Sequence, residues 1–555
     1  MSDPDQDFVF VPLGGVGEIG MNCALYGFGP PRKRKWIVVD LGVSFGSAET
    51  PGVDLIMADL SFVEKIRKDV AAIFVTHAHE DHIGAVADLW PRIGAPVYMT
   101  RFAMHVAEAR RLAEPGAPDV PLKLARYGER IEAGPFSVEY VPVAHSIPEG
   151  SGLLIRTPLG MAFHTGDWKL DPDPVVGATT DPARMAAIGD EGCLALICDS
   201  TNVLREGESP SEADIAKTLR ELIASAPRRV VVTTFASNVA RLRTVAVAAQ
   251  ACGRKVVCLG RAMDRIVEAA RECGYLDGVD DFLSNDMLDR LPKDKIVALA
   301  TGSQGEPRAA MARIAADEHP DMKIAAGDRV IFSSRTIPGN EKAVNRIINA
   351  LVDQEVEVIT DRTHLVHVSG HPRRGEVERM YRWTRPRIAI PAHGEALHLV
   401  EHRVLALASG VPSAPRVRNG DVVRLAPEGP VLLDQVQSGR WMKDGHTLAR
   451  DDAAMRQRVK LGFAGVVSVA AVVNARGDLV GVPDVVSHGL PETGRDGKVL
   501  ADVIDRAVFS VLEHGPKAKR RDPDALSTLL ERAVRGAVQE AWGKKPVVHA
   551  LVVVA

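Results

Sequence analysis

Residues 71–85, AAIFVTHAHEDHIGA, place four groups that could bind a metal within six positions: His77, His79, Asp81 and His82. With 17 histidines in 555 residues, composition alone gives this arrangement about 0.002 times per chain. Imidazole and carboxylate suit zinc or manganese. An apolar run ends at Thr76, so the cluster follows a predicted strand and its side chains can share one pocket. The pattern therefore predicts a metal site. A loop of exposed histidines or a structural zinc site are the alternatives, and the second lacks nearby cysteine ligands.

Whole-chain properties limit the class of protein that carries this cluster. At 555 residues the chain is too long for one core, so two to four domains are expected. The net charge of −4 predicts no general attraction to nucleic acid, although a local basic groove remains possible. Six cysteines without C-x-x-C pairs suggest reduced thiols. With an acidic N-terminus and no apolar run of membrane-spanning length, we expect a cytoplasmic protein and no membrane partner.

The stretch LGGVGEIG, residues 13–20, matches the dinucleotide fingerprint G-x-G-x-x-G, and Asp40 follows twenty residues later. That fingerprint needs a helix beginning at its glycines. Only about six residues separate Gly20 from Gly27, whereas a βαβ crossover needs a dozen or more. The sequence therefore predicts two strands joined by a tight glycine turn near the metal edge, then a hairpin with a basic tip at 32–35. No NAD or FAD is expected.

The H-x-H-x-D-H spacing resembles the signature of the metallo-β-lactamase fold, an αββα sandwich with metals at one edge. The resemblance implies two further ligands, which recur in order: His145 after the strand VEYVPV and Asp167 in the turn H-T-G-D. It also implies that Asp40, in an Asp-x-Gly turn, supports the site rather than binding ribose. His164 is expected to be structural, since its side chain should face away from that of Asp167.

Four segments between residues 206 and 364 repeat one pattern, an apolar run followed by a polar loop and a helical stretch: RRVVVTTFASN, RKVVCLGRAMD, DKIVALATGSQGE and DRVIFSSRTIPGNE. Alternating strands and helices predict a parallel sheet covered on both faces. The loops at its carboxyl edge suit phosphate, or their polar residues cap helices: Ser237, Asn238, Ser303, Ser333 and Ser334. No G-x-x-x-x-G-K-[ST] loop occurs, so ATP is not expected.

A metallo-β-lactamase domain with such an insert resembles the β-CASP nucleases. Their additional motifs match Asp199 in LALICDSTN, His371 in HVSGH and His393 in PAHGE. In that family a histidine at the last position is associated with RNA. Within it, the segments LGGVGEIGMN, DSTN, GSQGEP and SSRTIPGNE are similar to the bacterial ribonuclease J family over roughly residues 8–460.

The resemblance implies two divalent metals, with Zn²⁺ expected and Mn²⁺ or Mg²⁺ as alternatives. One metal would be held by His77, His79, His145 and Asp167, and the other by Asp81, His82, Asp167 and His393. Two cations would lower the pKa of a shared water and offset charge on the phosphoryl oxygens. Asp81 would also orient the nucleophile, and His371, grouped with Asp199 as catalytic, would donate a proton to the leaving oxygen.

Two loops are assigned to single-stranded RNA by the same resemblance: Phe235, Ala236, Ser237 and Asn238, and His367, Val368, Ser369, Gly370 and His371. The implied activity is 5′→3′ exonuclease action that prefers a 5′-monophosphate, together with internal cleavage, in RNA processing, including rRNA maturation, and in mRNA decay. A β-CASP hydrolase acting on DNA and a catalytically silent RNA-binding paralogue are the alternatives.

The predicted domains are a lactamase domain in two parts, 1–205 and 365–425, the insert 206–364, a linker 426–463 and a C-terminal domain 464–555. The last is read as a small α/β domain with helices around 496–513 and 524–542, and the resemblance implies self-association to a homodimer or homotetramer. Asp54 and Asp444 are either ligands of a structural cation or turn residues. The basic run KAKRR at 517–521 is expected in a solvated loop.

Overall fold

The computed structural model describes residues 6–555 apart from Pro115, Pro338, Asp451 and the side chain of Asp452. The acidic start MSDPD and one proline of the SSRTIPGNE loop therefore lie outside the described residues. The chain divides into two units, one of Met1–Ser44 with Ile56–Trp441 and one of Phe45–Leu55 with Met442–Ala555. Among the described residues, no helix combines the length and the apolar character needed to cross a membrane.

The chain up to residue 205 supplies most of two sheets. Its elements are β1 Asp7–Gly14, β2 Val16–Gly17, β3 Cys23–Gly29, β4 Lys35–Val39, β5 Val43–Phe45, β6 Leu55–Ala58, α1 Ser61–Ile66, β7 Val70–Phe74, α2 Glu80–Ile83, α3 Val86–Ile93, β8 Val97–Met99, α4 Arg101–Ala113, β9 Leu122–Leu124, β10 Arg130–Ala133, β11 Phe136–Pro142, β12 Ser151–Thr157, β13 Gly160–His164, α5 Pro182–Glu191 and β14 Cys193–Asp199.

The insert contributes α6 Glu212–Ser225, β15 Val230–Thr233, α7 Val239–Ala251, β16 Lys255–Leu259, α8 Arg261–Glu272, α9 Met287–Arg290, β17 Ile296–Ala300, α10 Ala310–Ala315, β18 Arg329–Phe332, α11 Glu341–Val352 and β19 Glu357–Ile359. Its five strands are all parallel, in the order β16-β17-β15-β18-β19. The sheet encloses its own apolar core, as the repeated strand-and-helix pattern predicts.

The chain then returns to the first domain through α12 Arg374–Thr384, β20 Ile388–Ala392, β21 Gly394–Glu395, α13 Ala396–Ala408, β22 Asp421–Ala426 and β23 Val431–Gln435. Strand β22 pairs with both β1 and β23, so the returning segment extends past the predicted boundary at residue 425. The predicted linker 426–463 thus contains regular structure that its mixed polar and apolar pattern did not reveal.

Two sheets face each other in this domain. One has eight strands in the order β23-β22-β1-β3-β4-β7-β8-β9, and the other has six in the order β10-β11-β12-β13-β14-β20. Aromatic side chains from both sheets, among them Phe10, Tyr26, Phe74, Phe136 and Tyr140, form the core between them. A second apolar cluster packs α5, α12 and α13 onto the six-stranded sheet. The predicted αββα sandwich with an α/β insert is therefore confirmed.

The glycine-rich stretch forms a turn between β1 and β3, which pair antiparallel, and no helix begins there. Strand β3 continues through the basic tip into β4, its antiparallel neighbour. At Gly15 φ is +81°, and a Cβ atom there would lie 2.1 Å from the Asn22 side chain. Glycine is therefore required by the tight turn rather than by a nucleotide.

The second unit contains most of the remaining elements: β24 Arg440–Asp444, β25 Thr447–Ala449, α14 Asp452–Ala464, β26 Val466–Val473, β27 Leu479–His488, α15 Leu500–His514, α16 Lys517–Arg520, α17 Pro523–Trp542 and β28 Val547–Val554. Its three-stranded sheet has the order β27-β26-β28, and α15 and α17 share its apolar core. The prediction of a small α/β tail is confirmed, with two local differences. Helix α15 begins at Leu500 because a turn with Gly497 at φ +74° precedes it, and part of KAKRR forms the short helix α16.

Candidate active site

The first group of candidate ligands forms where β7, β11 and β13 end at the same edge of the sandwich. His77 Nε2 lies 3.1 Å from His79 Nδ1, which in turn lies 2.9 Å from His145 Nε2. Asp167 Oδ2 lies 3.7 Å from both His77 Nε2 and His145 Nε2. Four donor atoms from three separate loops therefore converge on one point.

The second group shares Asp167 and adds residues from α2 and the loop after β20. His82 Nε2 lies 3.3 Å from Asp167 Oδ2, and His393 Nδ1 lies 2.9 Å from Asp167 Oδ1. Asp81 Oδ2 is 3.1 Å from His393 Nε2. Asp167 Oδ2 thus lies near imidazoles of both groups and Oδ1 lies near His393, so the two groups share this carboxylate, as they would share a bridging ligand.

A third group brings the remaining two predicted catalytic residues beside the same carboxylate. His371 Nδ1 lies 2.7 Å from Asp199 Oδ2 and 3.8 Å from Asp167 Oδ2. The donor atoms of Asp167, Asp199, His371 and His393 lie within 4.8 Å of one another. The structure therefore brings together all of the predicted ligands and both Asp199 and His371.

Three imidazoles are oriented by hydrogen bonds from the nitrogen that faces away from the site. His82 Nδ1 donates to Asp40 over 2.7 Å, and His145 Nδ1 donates to the Gly370 carbonyl over 2.7 Å. His77 Nδ1 lies 3.0 Å from Thr76 Oγ1, which itself donates to Asp40. These contacts leave each Nε2 directed into the site, as partners of metal-binding histidines do.

The protonation states of the first group suit metal binding. Burial lowers the pKa of His79 to about 4 and holds the pKa values of His77 and His145 well below the ordinary histidine value. Neutral imidazole is the form that binds a metal. Although burial raises the pKa of Asp167, nearby His393 and His82 outweigh it and the net pKa is lowered. The first group is therefore three neutral donors with one carboxylate.

A different balance applies to the histidines that face two or more carboxylates. Burial opposes protonation of His82 and His393, but Asp167 raises the pKa of each well above the ordinary value. The pKa of His371 is also raised, mainly by Asp199 against the effect of burial. The carboxylates in this half of the site thus carry negative charge that a cation or a protonated imidazole must balance.

The residues fit divalent metals. The imidazole nitrogens of the first group are 2.9–3.1 Å apart, close to the separation of about 3.3 Å between ligands of a tetrahedral zinc site. Asp167 Oδ1 is buried without a well-aligned hydrogen-bond donor among the described residues. A cation held by these residues would satisfy lone pairs that the described part of the chain leaves without a well-aligned donor.

The glycine-rich turn forms the floor of the site. The Gly15 carbonyl accepts a hydrogen bond from His393 N over 2.6 Å, and β2 pairs with β21, directly after His393. Asn22 Nδ2 donates to the Asp81 carbonyl over 3.1 Å. Gly42 also packs against Asp81, so closely that a Cβ atom at Gly42 would lie 1.6 Å from the Asp81 carbonyl oxygen. These contacts hold Asp81 and His393, two of the four ligands of the second group, in place.

The HVSGH turn, residues 367–371, contacts the metal groups directly. Ser369 Oγ accepts from Asn202 Nδ2 over 2.7 Å, and the Gly370 carbonyl holds His145. Ser237 in the other predicted RNA loop is partly exposed, whereas Asn238 is buried and its side-chain oxygen accepts from Arg241 N at the start of α7. Asn238 therefore caps a helix, which is one of its two predicted roles.

Three other predicted phosphate contacts are buried: Ser303, Ser333 and Ser334. Ser333 Oγ donates to the Val366 carbonyl over 2.7 Å, so its hydroxyl joins two loops instead of facing solvent. His164 hydrogen-bonds Tyr26 over 3.0 Å, in agreement with a structural role. Thr76 and Arg241 have no motif of their own, and their contacts could not be identified from the sequence. Asn22 ends the segment LGGVGEIGMN, which the resemblance had already singled out.

The predicted cation ligands Asp54 and Asp444 have other partners in the second unit. Asp54 Oδ2 accepts from Gly445 N over 3.1 Å, and Asp444 forms an ion pair with Arg458. Neither belongs to a group of donor atoms able to hold a metal among the described residues. The observed contacts are those of turn residues.

Family models match four segments of the chain. They are the metallo-β-lactamase superfamily at residues 18–175, the ribonuclease J β-CASP domain at 227–351, the Zn-dependent metallo-hydrolase RNA specificity domain at 355–413 and the ribonuclease J C-terminal domain at 453–555. The four models follow one another along the chain in the order of the observed elements.

Similar proteins extend over nearly the whole chain. Ribonuclease J of Sinorhizobium meliloti is 51% identical over 98% of this chain and 97% of its own length. Ribonuclease J of Thermus thermophilus is 37% identical over 92% of this chain and 89% of its own. A crystal structure of a protein of unknown function from Enterococcus faecalis V583 matches 75% of this chain and 100% of its own at 15% identity and a TM-score of 0.53, which supports the fold alone.

These matches agree with the geometry of the site. The chain belongs to the ribonuclease J family, and it is a metal-dependent hydrolase of the metallo-β-lactamase fold with a β-CASP insert and an RNA specificity domain.

Proposed function

We propose that this metal-dependent ribonuclease hydrolyses the phosphodiester bonds of single-stranded RNA at the edge where the three groups meet. The observation that carries the proposal is the position of Asp167, whose carboxylate belongs to all three groups of ligand atoms. The first group is assigned to one metal and the second to another, with Asp167 between them. Nitrogen-rich donors favour Zn²⁺ over Mn²⁺ and Mg²⁺.

The chain's own residues position the reactants around those cations. Bound divalent metals supply Lewis acidity and lower the pKa of a water molecule. Asp81 faces His393 at the rim of the second group and orients the attacking water. His371 donates Nδ1–H to Asp199, which raises the pKa of the imidazole and so favours a second proton on Nε2. That proton passes to the departing 3′ oxygen, so the product carries a 5′-phosphate.

The RNA is proposed to lie across the loops 235–238 and 367–371. Phe235 and Ser237 are partly exposed, which suits base stacking and a contact to a terminal phosphate. We propose 5′→3′ exonuclease action on 5′-monophosphorylated ends, with internal cleavage, in rRNA maturation and mRNA decay. We also propose that the chain self-associates to a dimer or tetramer through the second unit. A cytoplasmic location is proposed as well, and it suits the six free cysteines.

An assay with three substrates tests this function. The purified full chain, with Zn²⁺ or Mn²⁺, is incubated with single-stranded oligomers: RNA with a 5′-monophosphate, RNA with a 5′-triphosphate, and DNA. We expect the monophosphorylated RNA to be cleaved fastest and the His77→Ala variant to be inactive. Preferred cleavage of DNA would indicate the DNA hydrolase, whereas equal activity in His77→Ala would contradict the metal site. RNA binding without any cleavage would indicate a silent paralogue.

A further inference from the structure

Arg241 is a fully buried arginine in the first turn of α7, and no motif marks it in the sequence. Its guanidinium group contacts three segments that are far apart along the chain. Nη2 donates to both oxygens of Glu212, at 3.1 and 3.0 Å. Nη1 donates to the Ser333 carbonyl over 2.9 Å and to the Val366 carbonyl over 2.8 Å. A planar group with several fixed donors can make these contacts at once.

These contacts connect the loops assigned to RNA. The backbone N of Arg241 donates to Asn238 in the loop 235–238, while its side chain holds Val366, the residue before the HVSGH turn. Ser333 Oγ makes a parallel contact to the same Val366 carbonyl. The spacing between the two RNA loops is therefore fixed by one buried side chain and one supporting hydroxyl.

Glu212 extends the connection towards the metal groups. Its backbone N donates to Asp171 Oδ2 over 3.0 Å, and Asp171 pairs with the buried Lys169 over 2.6 Å. Lys169 follows Asp167 by two positions. The chain of buried contacts thus reaches from the loop that carries the bridging carboxylate to the two RNA loops.

The other end of the HVSGH turn is held independently of Arg241. Asn202 contacts Ser369, Asp199 contacts His371 and His145 contacts Gly370, and all three partners come from the lactamase domain. The turn therefore has two anchors, one from each domain. Loss of the insert's anchor should therefore displace the start of the turn at Val366, whereas His371 should keep its contact with Asp199.

We propose that Arg241, paired with Glu212, is a positioning residue that sets the distance between the loops 235–238 and 367–371 and thereby determines how tightly the enzyme binds RNA. The inference rests on the proposed path of the RNA. It assigns Arg241 no contact with substrate or metal. Because Asn202, Asp199 and His145 hold the metal-facing end of the turn without Arg241, a small phosphodiester that does not span the loops should be insensitive to this residue.

The experiment compares two substrates in the full-length Arg241→Lys variant. Lysine retains the charge opposite Glu212 but cannot bond Glu212, Ser333 and Val366 together. We expect KM for a 5′-monophosphorylated RNA oligomer to rise about tenfold, as loss of one or two buried hydrogen bonds implies. We expect kcat for RNA and the hydrolysis of bis(p-nitrophenyl) phosphate to change less than twofold. Arg220→Lys, an exposed arginine on α6, is the matched control.

The outcomes separate this inference from the proposed function. An unchanged KM for RNA would overturn the role of Arg241. An equal loss of activity on both substrates would overturn it too, because that result indicates general damage to the fold. Failure of the unmodified chain to cleave RNA would overturn the proposed function instead. If Arg241→Lys does not fold, Ser333→Ala decides: it leaves the Arg241–Glu212 pair in place, and KM should rise severalfold with kcat unchanged.

Discussion

The proposed metal edge of the lactamase domain and the loop edge of the insert, where the proposed RNA loop 235–238 lies, are held in place by different kinds of contact. At the metal edge, polar side chains from six loops face one another across a few ångströms, and three of the imidazoles, His77, His82 and His145, are oriented by a partner behind them. At the edge of the insert, the corresponding loops are joined by buried contacts such as Ser333 to Val366 and Arg241 to Glu212. The first edge presents ligand atoms, whereas the second maintains a spacing between loops.

This difference predicts which kinetic constant responds to a substitution. Side chains at the metal edge act on the phosphorus that is being attacked, so their loss should reduce kcat. Side chains at the insert edge act on parts of the RNA that do not react, so their loss should raise KM. Substitutions at the two edges therefore test the comparison directly.

Among substitutions that leave both metals in place, the largest effect on rate is expected for His371→Gln. Loss of the proton donor held by Asp199 should lower kcat for RNA by about 10² to 10⁴, with KM little changed. Metal content should remain that of the unmodified chain, because both proposed metal groups are complete without His371. Single-turnover cleavage and metal analysis provide the measurements, and His364→Gln, at an exposed histidine, is the control. Loss of metal with the activity would show that His371 is a ligand instead.

An intermediate effect is expected at the insert edge for Ser237→Ala. Removal of one partly exposed hydroxyl should raise KM for 5′-monophosphorylated RNA about fivefold and leave kcat unchanged. RNA with a 5′-hydroxyl should show no change, because the lost contact is to the terminal phosphate. Ser409→Ala, on the exposed end of α13, is the control. The same rise in KM for both RNAs would mean that Ser237 contacts the RNA backbone and not the 5′-terminal phosphate.

The smallest effect on activity is expected for His402, which is buried behind the metal edge and acts on stability. Its ring contacts Ser200, next to Asp199, over 2.8 Å and Tyr381 over 2.7 Å. Burial lowers the pKa of His402 to about 4 from 6.5. Between pH 4 and 6.5 the unfolded chain therefore protonates His402 more readily than the folded chain does. The contribution of neutral His402 to the free energy of unfolding is thus complete above pH 6.5 and is lost as the pH falls towards 4.

Urea unfolding of His402→Gln checks that contribution. Between pH 6.5 and 4 the free energy of unfolding should fall less in the variant than in the unmodified chain, by up to about 3 kcal/mol. Glutamine can retain one of the two hydrogen bonds, which limits the loss of stability at neutral pH. An unchanged slope would mean that the pKa of His402 does not differ between the folded and unfolded states.

The metal edge could be predicted from sequence to a degree that the insert edge could not. His77, His79, Asp81 and His82 lie within six positions, so their spacing alone predicts a site, and the resemblance added His145, Asp167 and His393. The supporting role of Asp40 followed from its position in an Asp-x-Gly turn. Local spacing was sufficient there because metal ligands are few and chemically distinctive.

The hydrogen bonds that join the loops at the insert edge connect residues far apart in the sequence. Arg241 and Val366 are 125 positions apart, and an arginine in a helix is most often exposed. Ser333 directly follows β18 and Ser237 lies in the loop after β15, but only the structure shows that the first is buried and the second is partly exposed. Burial of this kind follows from how the returning segment packs on the insert, which single-sequence patterns do not encode.

The most direct test of the central claim is the metal content of the full chain purified without chelator. We predict two equivalents of divalent metal per chain in the unmodified protein, because Asp167 completes both proposed metal groups. In Asp167→Asn both equivalents should be lost or strongly weakened, while Asp173→Asn, at an exposed carboxylate six positions away, should retain two. Two tightly bound equivalents in Asp167→Asn would contradict the assignment of the bridging carboxylate, and with it the proposed centre of the reaction.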